Sequence, residues 1–246
     1  MTTSLVILDI GSSLVEGPAR GPASRIAAAG GLTTDQKHDL HRLLMTAPYP
    51  GPADVYATVR EHLGVVSPAV ESAIAEIWDA QEGEARLIPG VSETLQQLVE
   101  RGYQLALLSN IWTPYYRSVY RLLGGFFDLH IPPELRLLSC REGLVKPAPE
   151  LFLRVLERAG ASPAGTLMVG DSYDKDIKPA MECGMSTLWL LHSPCREIPA
   201  LVEILNGAAA GPTAALRTLA NIDLDAPWLA SLSPDSNKED SHPSLA

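Results

Sequence analysis

Residues 166–176, Thr-Leu-Met-Val-Gly-Asp-Ser-Tyr-Asp-Lys-Asp, begin with a short apolar run that stops at Gly170-Asp171 and leads into a helical pattern over Lys175–Cys183. Three other runs have the same form: Leu5–Leu8 before Asp9, Leu105–Leu108 before Ser109, and Thr187–Leu191 before His192. Runs that are apolar throughout, rather than at alternate positions, suit strands covered on both faces of a parallel sheet. Helical patterns separate them. Val91–Arg101 follows Pro89-Gly90, offers Ser92 as an N-cap and ends at Gly102. Pro149–Ala159 gathers Leu151, Phe152, Val155 and Leu156 on one face and ends at Gly160. The alternation of strand and helix predicts an α/β fold with a doubly wound, Rossmann-like parallel-sheet core.

The interval from Leu14 to Leu87 breaks that rhythm, being far longer than the roughly 2–6 residues usual between a strand and its helix. Helical patterns at Asp35–Met45, Ala53–Leu63 and Pro68–Ala80, with no strand pattern, predict an all-helical cap inserted over residues 15–87. Residues 1–14 and 88–230 then form the core. Asn206–Pro212 is expected to be a loop between two helical pieces. Residues 231–246, rich in Ser, Pro, Asp and Asn, are expected to be disordered.

Composition narrows the function. The chain has 246 residues, 46% hydrophobic and 20% charged, enough to bury a core without disulfides or a structural metal. Its 29 acidic and 19 basic residues give a net charge of -10, which argues against nucleic acid or an anionic membrane surface as partner. No run approaches the ~18 apolar residues of a membrane span. The first apolar run has no basic residue ahead of it and meets Asp9 at once, so no signal peptide is expected. Cys140, Cys183 and Cys195 are odd in number and lack zinc-type spacing. They read as reduced thiols of a cytoplasmic protein.

Ligands of open parallel sheets sit beyond the carboxyl ends of the strands. Asp9, Ser109-Asn110 and Asp171 occupy three such ends. Each alone is more often a cap or turn former, but their joint occurrence points to a site. Together with two further segments they resemble the haloacid dehalogenase superfamily, whose members are mostly Mg2+-dependent phosphohydrolases. VILDIGSSL (6–14) is similar to the Asp-x-Asp-x-Thr motif, with Asp9 at the nucleophile position, Gly11 where a second Asp usually stands, and Ser13 at the Thr position. LALLSN (105–110), KPAPELF (146–152) and VGDSYDKDI (169–177) match the second, third and fourth motifs in order.

The resemblance implies a class 1 helical cap and an aspartyl-phosphate route, in which a carboxylate attacks phosphorus and hydrolysis is split into two steps. By the same resemblance Asp9 and Asp171 would bind Mg2+ through carboxylates, residue 11 through its backbone oxygen, and Asp176 by holding a metal-bound water. Lys146 would neutralise charge, and Ser109 with the Asn110 backbone N–H would bind phosphate oxygens. The partner would be a small phosphorylated molecule, and the assembly a monomer or homodimer.

Gly11 departs from the pattern where it matters most. In phosphatase members the second Asp protonates the leaving oxygen and then deprotonates the attacking water, help worth typically ~10²–10⁴-fold. Glycine supplies neither, although the backbone oxygen survives. Gly11 also raises the expectation of a backbone with φ > 0. Three other readings follow from the gap. A catalytically impaired member would bind a phosphate ligand or a protein partner. A 2-haloacid dehalogenase would also lack this Asp, but would not need the Asp171/Asp176 pair. A phosphonoacetaldehyde hydrolase would use a cap lysine as a Schiff base, and Lys37 is the one lysine of the insert. That lysine reads more readily as solvated. His38 and His41 read as exposed, Ile74 and Trp78 as cap core, and Cys140 as a buried small hydrophobe.

Overall fold

The computed structural model describes residues 4–65, 67–192, 194–230 and 232. The chain opens with β1 (Leu5–Leu8) and the two-residue β2 (Val15–Glu16), then runs through four helices, α1 (Pro22–Gly30), α2 (Thr34–Thr46), α3 (Pro52–Leu63) and α4 (Pro68–Gln81). It returns through β3 (Arg86–Leu87), which pairs antiparallel with β2. The interval between β1 and the next core element therefore carries a small ribbon as well as helices, and α1 is a helix that the apolar periodicity did not single out. Proline at the first turn starts α1, α3 and α4, where its missing N–H has no intrahelical partner to lose. Thr33 and Gln36 form a capping box at the start of α2. The helices enclose their own core, with Ile26, Leu40, Leu44, Val55, Val59, Ile74 and Trp78 buried together.

The remainder alternates strand and helix: α5 (Val91–Glu100), β4 (Gln104–Ser109), α6 (Thr113–His130), β5 (Arg136–Leu138), α7 (Ser139–Glu142), α8 (Pro149–Ala159), β6 (Thr166–Gly170), α9 (Lys178–Glu182), β7 (Ser186–Leu190), α10 (Ile198–Leu205), β8 (Ala214–Leu216) and α11 (Pro227–Ala230). Six strands form one sheet in the order β5-β4-β1-β6-β7-β8, with every pairing parallel. The chain order reverses between β1 and β6, and such a switch point is where open α/β sheets bind ligands. The doubly wound, Rossmann-like core is thus present. Leu5, Val6, Ile7 and Leu8 are fully covered, as an all-apolar central strand requires.

Two edge strands and α6 were not legible. β5 contains Arg136, whose buried guanidinium donates to the Ile131 and Phe127 carbonyls at 2.7 Å each and so closes the end of α6. β8 holds only Ala214, Ala215 and Leu216, and it replaces the helical piece expected after Asn206–Pro212. The tail expected to be disordered lies outside the described residues except for Leu232, which is buried and accepts a hydrogen bond from the Ser4 hydroxyl.

Candidate active site

Four loops at the carboxyl ends of the strands converge on one cavity of about 860 Å³. Asp9 follows β1, and its N–H donates to the Val169 carbonyl at 2.9 Å, tying the first loop to β6. Ser109 ends β4 and is buried. Lys146 stands on the loop between α7 and α8, and its peptide bond to Pro147 is cis. Asp171 follows β6. A single π-type turn over Tyr173–Ile177 then carries Asp176 back over the end of the same strand. All of these residues, with Asn110 and Gly11, line the cavity.

Lys146 is the electrostatic centre. Its Nζ donates to Asp9 Oδ1 at 2.6 Å and to Asp176 Oδ1 at 2.5 Å, with all three side chains buried. Burial works to lower the pKa of the ammonium, but Asp176 and Asp9 outweigh it and hold Lys146 firmly protonated. One ammonium cannot neutralise three carboxylates. Burial, with Asp9 and Asp176 nearby, pushes Asp171 up to about 7, against the opposing pull of Arg196 at 2.9 Å. Burial and the charge of Asp9 likewise push Asp176 up to about 6, against the pull of Lys146. Carboxylate oxygens of Asp9, Asp171 and Asp176 lie within 4.8 Å of one another, and among the described residues no other acidic, His or Cys group gathers so closely. An all-oxygen set with excess negative charge, buried at Asp9 and Asp176 and half-buried at Asp171, fits a hard divalent cation such as Mg2+.

Gly170 explains how Asp176 gets there. A Cβ at residue 170 would stand 2.5 Å from the Cβ, Cγ and Oδ2 of Asp176, so only glycine lets the turn fold back. The Asp176 Oδ2 then accepts from the Ser172 N–H at 3.0 Å. Gly11 is different. It does not have positive φ; the left-handed residue of its turn is Ser12, at φ 58°, whose N–H donates to the Val15 carbonyl at 2.8 Å. The expectation of a left-handed Gly11 is therefore corrected, because the tight turn places its reversal one residue later. A Cβ at Gly11 would meet nothing within 4 Å. The neighbouring Ser13 hydroxyl is buried, with no hydrogen-bond partner among the described residues.

Asn110 has a task that motif reading did not show. Its side-chain amide donates to the Lys146 carbonyl at 2.9 Å and accepts from the Lys146 N–H at 2.7 Å, so the second loop clamps the third. Ser139 grips the next residue: its hydroxyl accepts from the Ile111 N–H at 3.0 Å and donates to the Ile111 carbonyl at 3.2 Å. Arg196, paired with Asp171, was also missed. Each of these contacts joins residues about 25 to 36 positions apart, and no local spacing signals them. From the helical interval Pro18, Pro22, Met45 and Gln81 line the cavity, joined by Trp112 and Tyr115, and none of the six is an acid or a base poised near neutral pH. Burial raises the Tyr115 phenol further above its usual range. Lys37 lines a separate, smaller cavity and is absent from the one that holds Asp9, so the lysine of the insert is not brought to this site. His38 and His41 belong to no ligand cluster among the described residues, and burial raises the Cys140 thiol.

Comparison with known proteins agrees with this layout. Residues 35–184 match the haloacid dehalogenase-like hydrolases, and the chain belongs to that family. It is 31% identical over 137 residues to ribulose-1,5-bisphosphate 5-phosphatase of Halopiger xanaduensis, a match covering 55% of each chain. It is also 31% identical over 116 residues to glyceraldehyde 3-phosphate phosphatase of Pyrococcus furiosus, covering 46% of this chain and 45% of that one. The chain thus spans about half the length of the curated relatives it matches. Among solved structures, a haloacid dehalogenase family enzyme of Bacteroides thetaiotaomicron, in complex with magnesium and inorganic phosphate, superposes with a TM-score of 0.56. That superposition has 23% identity and covers 76% of this chain and 94% of that one. At that identity the likeness is one of fold.

Proposed function

We propose that this hydrolase is a Mg2+-dependent phosphomonoesterase of small phosphorylated metabolites, acting through an aspartyl-phosphate on Asp9 and limited to leaving groups that depart without protonation. The observation that carries the reading is the convergence of Asp9, Lys146, Asp171, Asp176 and Ser109 in one cavity at the switch point of the sheet. Asp9, Asp171, Asp176 and the backbone oxygen of Gly11 would hold the metal, which when bound would offset the repulsion between carboxylate and phosphate dianion.

In the first step an Asp9 carboxylate oxygen bonds to phosphorus as the bond to the leaving oxygen breaks. Lys146, held against Asp9 by its own hydrogen bond, keeps positive charge beside the transferred group. Ser109 and the Asn110 N–H would bind the phosphate oxygens, and Asn110 also fixes the Lys146 backbone. In the second step water attacks the acyl-phosphate, inorganic phosphate departs and the Asp9 carboxylate is regenerated. No side chain at residue 11 hands a proton to the leaving oxygen or takes one from that water. Acyl or aryl phosphates, whose leaving groups are weak bases, therefore suit this site better than alkyl phosphates.

A second reading, a phosphate-binding protein without turnover, draws on Gly11 and on the Arg196 ion pair that occupies Asp171. Assay of p-nitrophenyl phosphate and a metabolite panel with Mg2+, against an Asp9→Asn control, separates the two. Turnover that disappears in the control supports the enzyme. Tight phosphate binding with no turnover of any ester supports the alternative.

A further inference from the structure

The loop that follows Ser109 is held from two sides. Asn110 and Ile111 are gripped by the core, through Lys146 and Ser139. The next residue, Trp112, turns the other way. It is buried among the cap residues rather than in the core, with its ring edge-on to Trp78 at a centroid distance of 5.6 Å. Its indole N–H donates to Gln81 Oε1 at 2.7 Å. Gln81 is the last residue of α4, is itself buried, and spends its amide on Glu84 Oε2 at 2.6 Å. Glu84 in turn accepts Arg25 of α1 at 2.7 and 2.9 Å. One chain of contacts, half-buried at Arg25 and Glu84 and buried at Gln81 and Trp112, thus runs from α1 and α4 to the residue three places beyond Ser109.

We propose that Gln81 is a positioning residue: through Trp112 it couples the helical cap to the loop that carries Ser109 and Asn110, so that phosphate affinity depends on a cap side chain that does not touch the phosphate. This rests on the reading of Ser109 and Asn110 as phosphate ligands. Both polar atoms of the Gln81 amide already have partners, and the proposed coupling runs through its Oε1 to Trp112 rather than through the cavity. Removing the Gln81 carbonyl leaves a buried indole N–H unpaired, and the loop must shift to relieve it.

Two arms test this on the full chain. Hydrogen exchange of the ligand-free protein should accelerate over Ser109–Trp112 in Gln81→Leu and in Trp112→Phe, while β6 and α5 keep their protection. Orthovanadate affinity in the presence of Mg2+ should fall at least about fivefold in each variant and no further in the double variant, because both changes remove the same hydrogen bond. A merely structural role would add the two losses and spread the exchange through the cap. Unchanged loop exchange in folded Gln81→Leu would overturn the coupling, as would additive losses of affinity. If wild type itself binds no orthovanadate, the phosphate-site reading falls, and the exchange arm still decides whether Gln81 holds the loop.

Discussion

Two glycines at neighbouring strand ends hold opposite positions in this protein. Gly170, at the end of β6, has Asp176 folded onto it so closely that a Cβ would collide at 2.5 Å. Gly11, just past the end of β1, faces open cavity, has an ordinary φ and would accept a Cβ without contact. The first is glycine because the fold requires it. The second is glycine although the fold does not. The chemical gap at residue 11 is therefore separable from the architecture, and the rest of the site can be tested with it absent or restored.

The largest effect should come from breaking the first half of that contrast. Gly170→Ala overpacks the β6 end and displaces a buried carboxylate, so it should lose about 3 kcal/mol or fail to fold, whereas Gly11→Ala should stay within about 0.5 kcal/mol of wild type. Chemical denaturation checks both, and equal effects would remove the contrast.

Next comes the metal. Saturating Mg2+ should stabilise the folded protein by mass action, about 2.7 kcal/mol at a hundredfold excess over Kd, and Asp171→Ala should abolish that gain. The same thermal response in both proteins would sink the assignment of Asp171. Lys146→Ala should weaken binding of orthovanadate or tungstate about tenfold or more, since it strips a charge-assisted contact from a desolvated anion site. Unchanged affinity would place Lys146 outside the phosphate site.

Proton linkage gives a further effect. Asp171 is raised from 3.8 to about 7, so the folded state holds a proton there that the unfolded chain has released. That contribution to stability is present at low pH and is lost as pH rises from about 4 to about 7. In metal-free protein, Asp171→Asn should flatten the decline of melting temperature across that window. Parallel curves for the two proteins would contradict the shift.

What could be read from the chain follows the same division between local and distant causes. Strand ends are local: Leu5–Leu8 before Asp9 and Thr166–Val169 before Gly170-Asp171 announce themselves by an apolar run that stops. The helices α2, α3 and α4 carry their caps and prolines with them, and their bounds differ from the periodicity by a residue or so. The edge strands β5 and β8, three residues each, carry too little pattern to stand out. At the site, residue types were legible but their partners were not. Asn110 clamping Lys146, Arg196 on Asp171 and Trp112 on Gln81 all cross long stretches of chain. Gly170 was visible as part of a motif, but its necessity lies in the π-type turn that returns Asp176 to it.

The most direct test of the central claim is the turnover of alkyl and aryl phosphates by wild type and Gly11→Asp, measured side by side with Mg2+ after folding has been verified. Wild type should turn over p-nitrophenyl phosphate far better than alkyl phosphates. Gly11→Asp should raise alkyl phosphate turnover by about 10²-fold or more, with a smaller gain on the aryl ester, because only the poor alkoxide leaving group needs the proton. The contradicting result is a folded, Mg2+-binding Gly11→Asp that is inert on every monoester, beside an equally inert wild type.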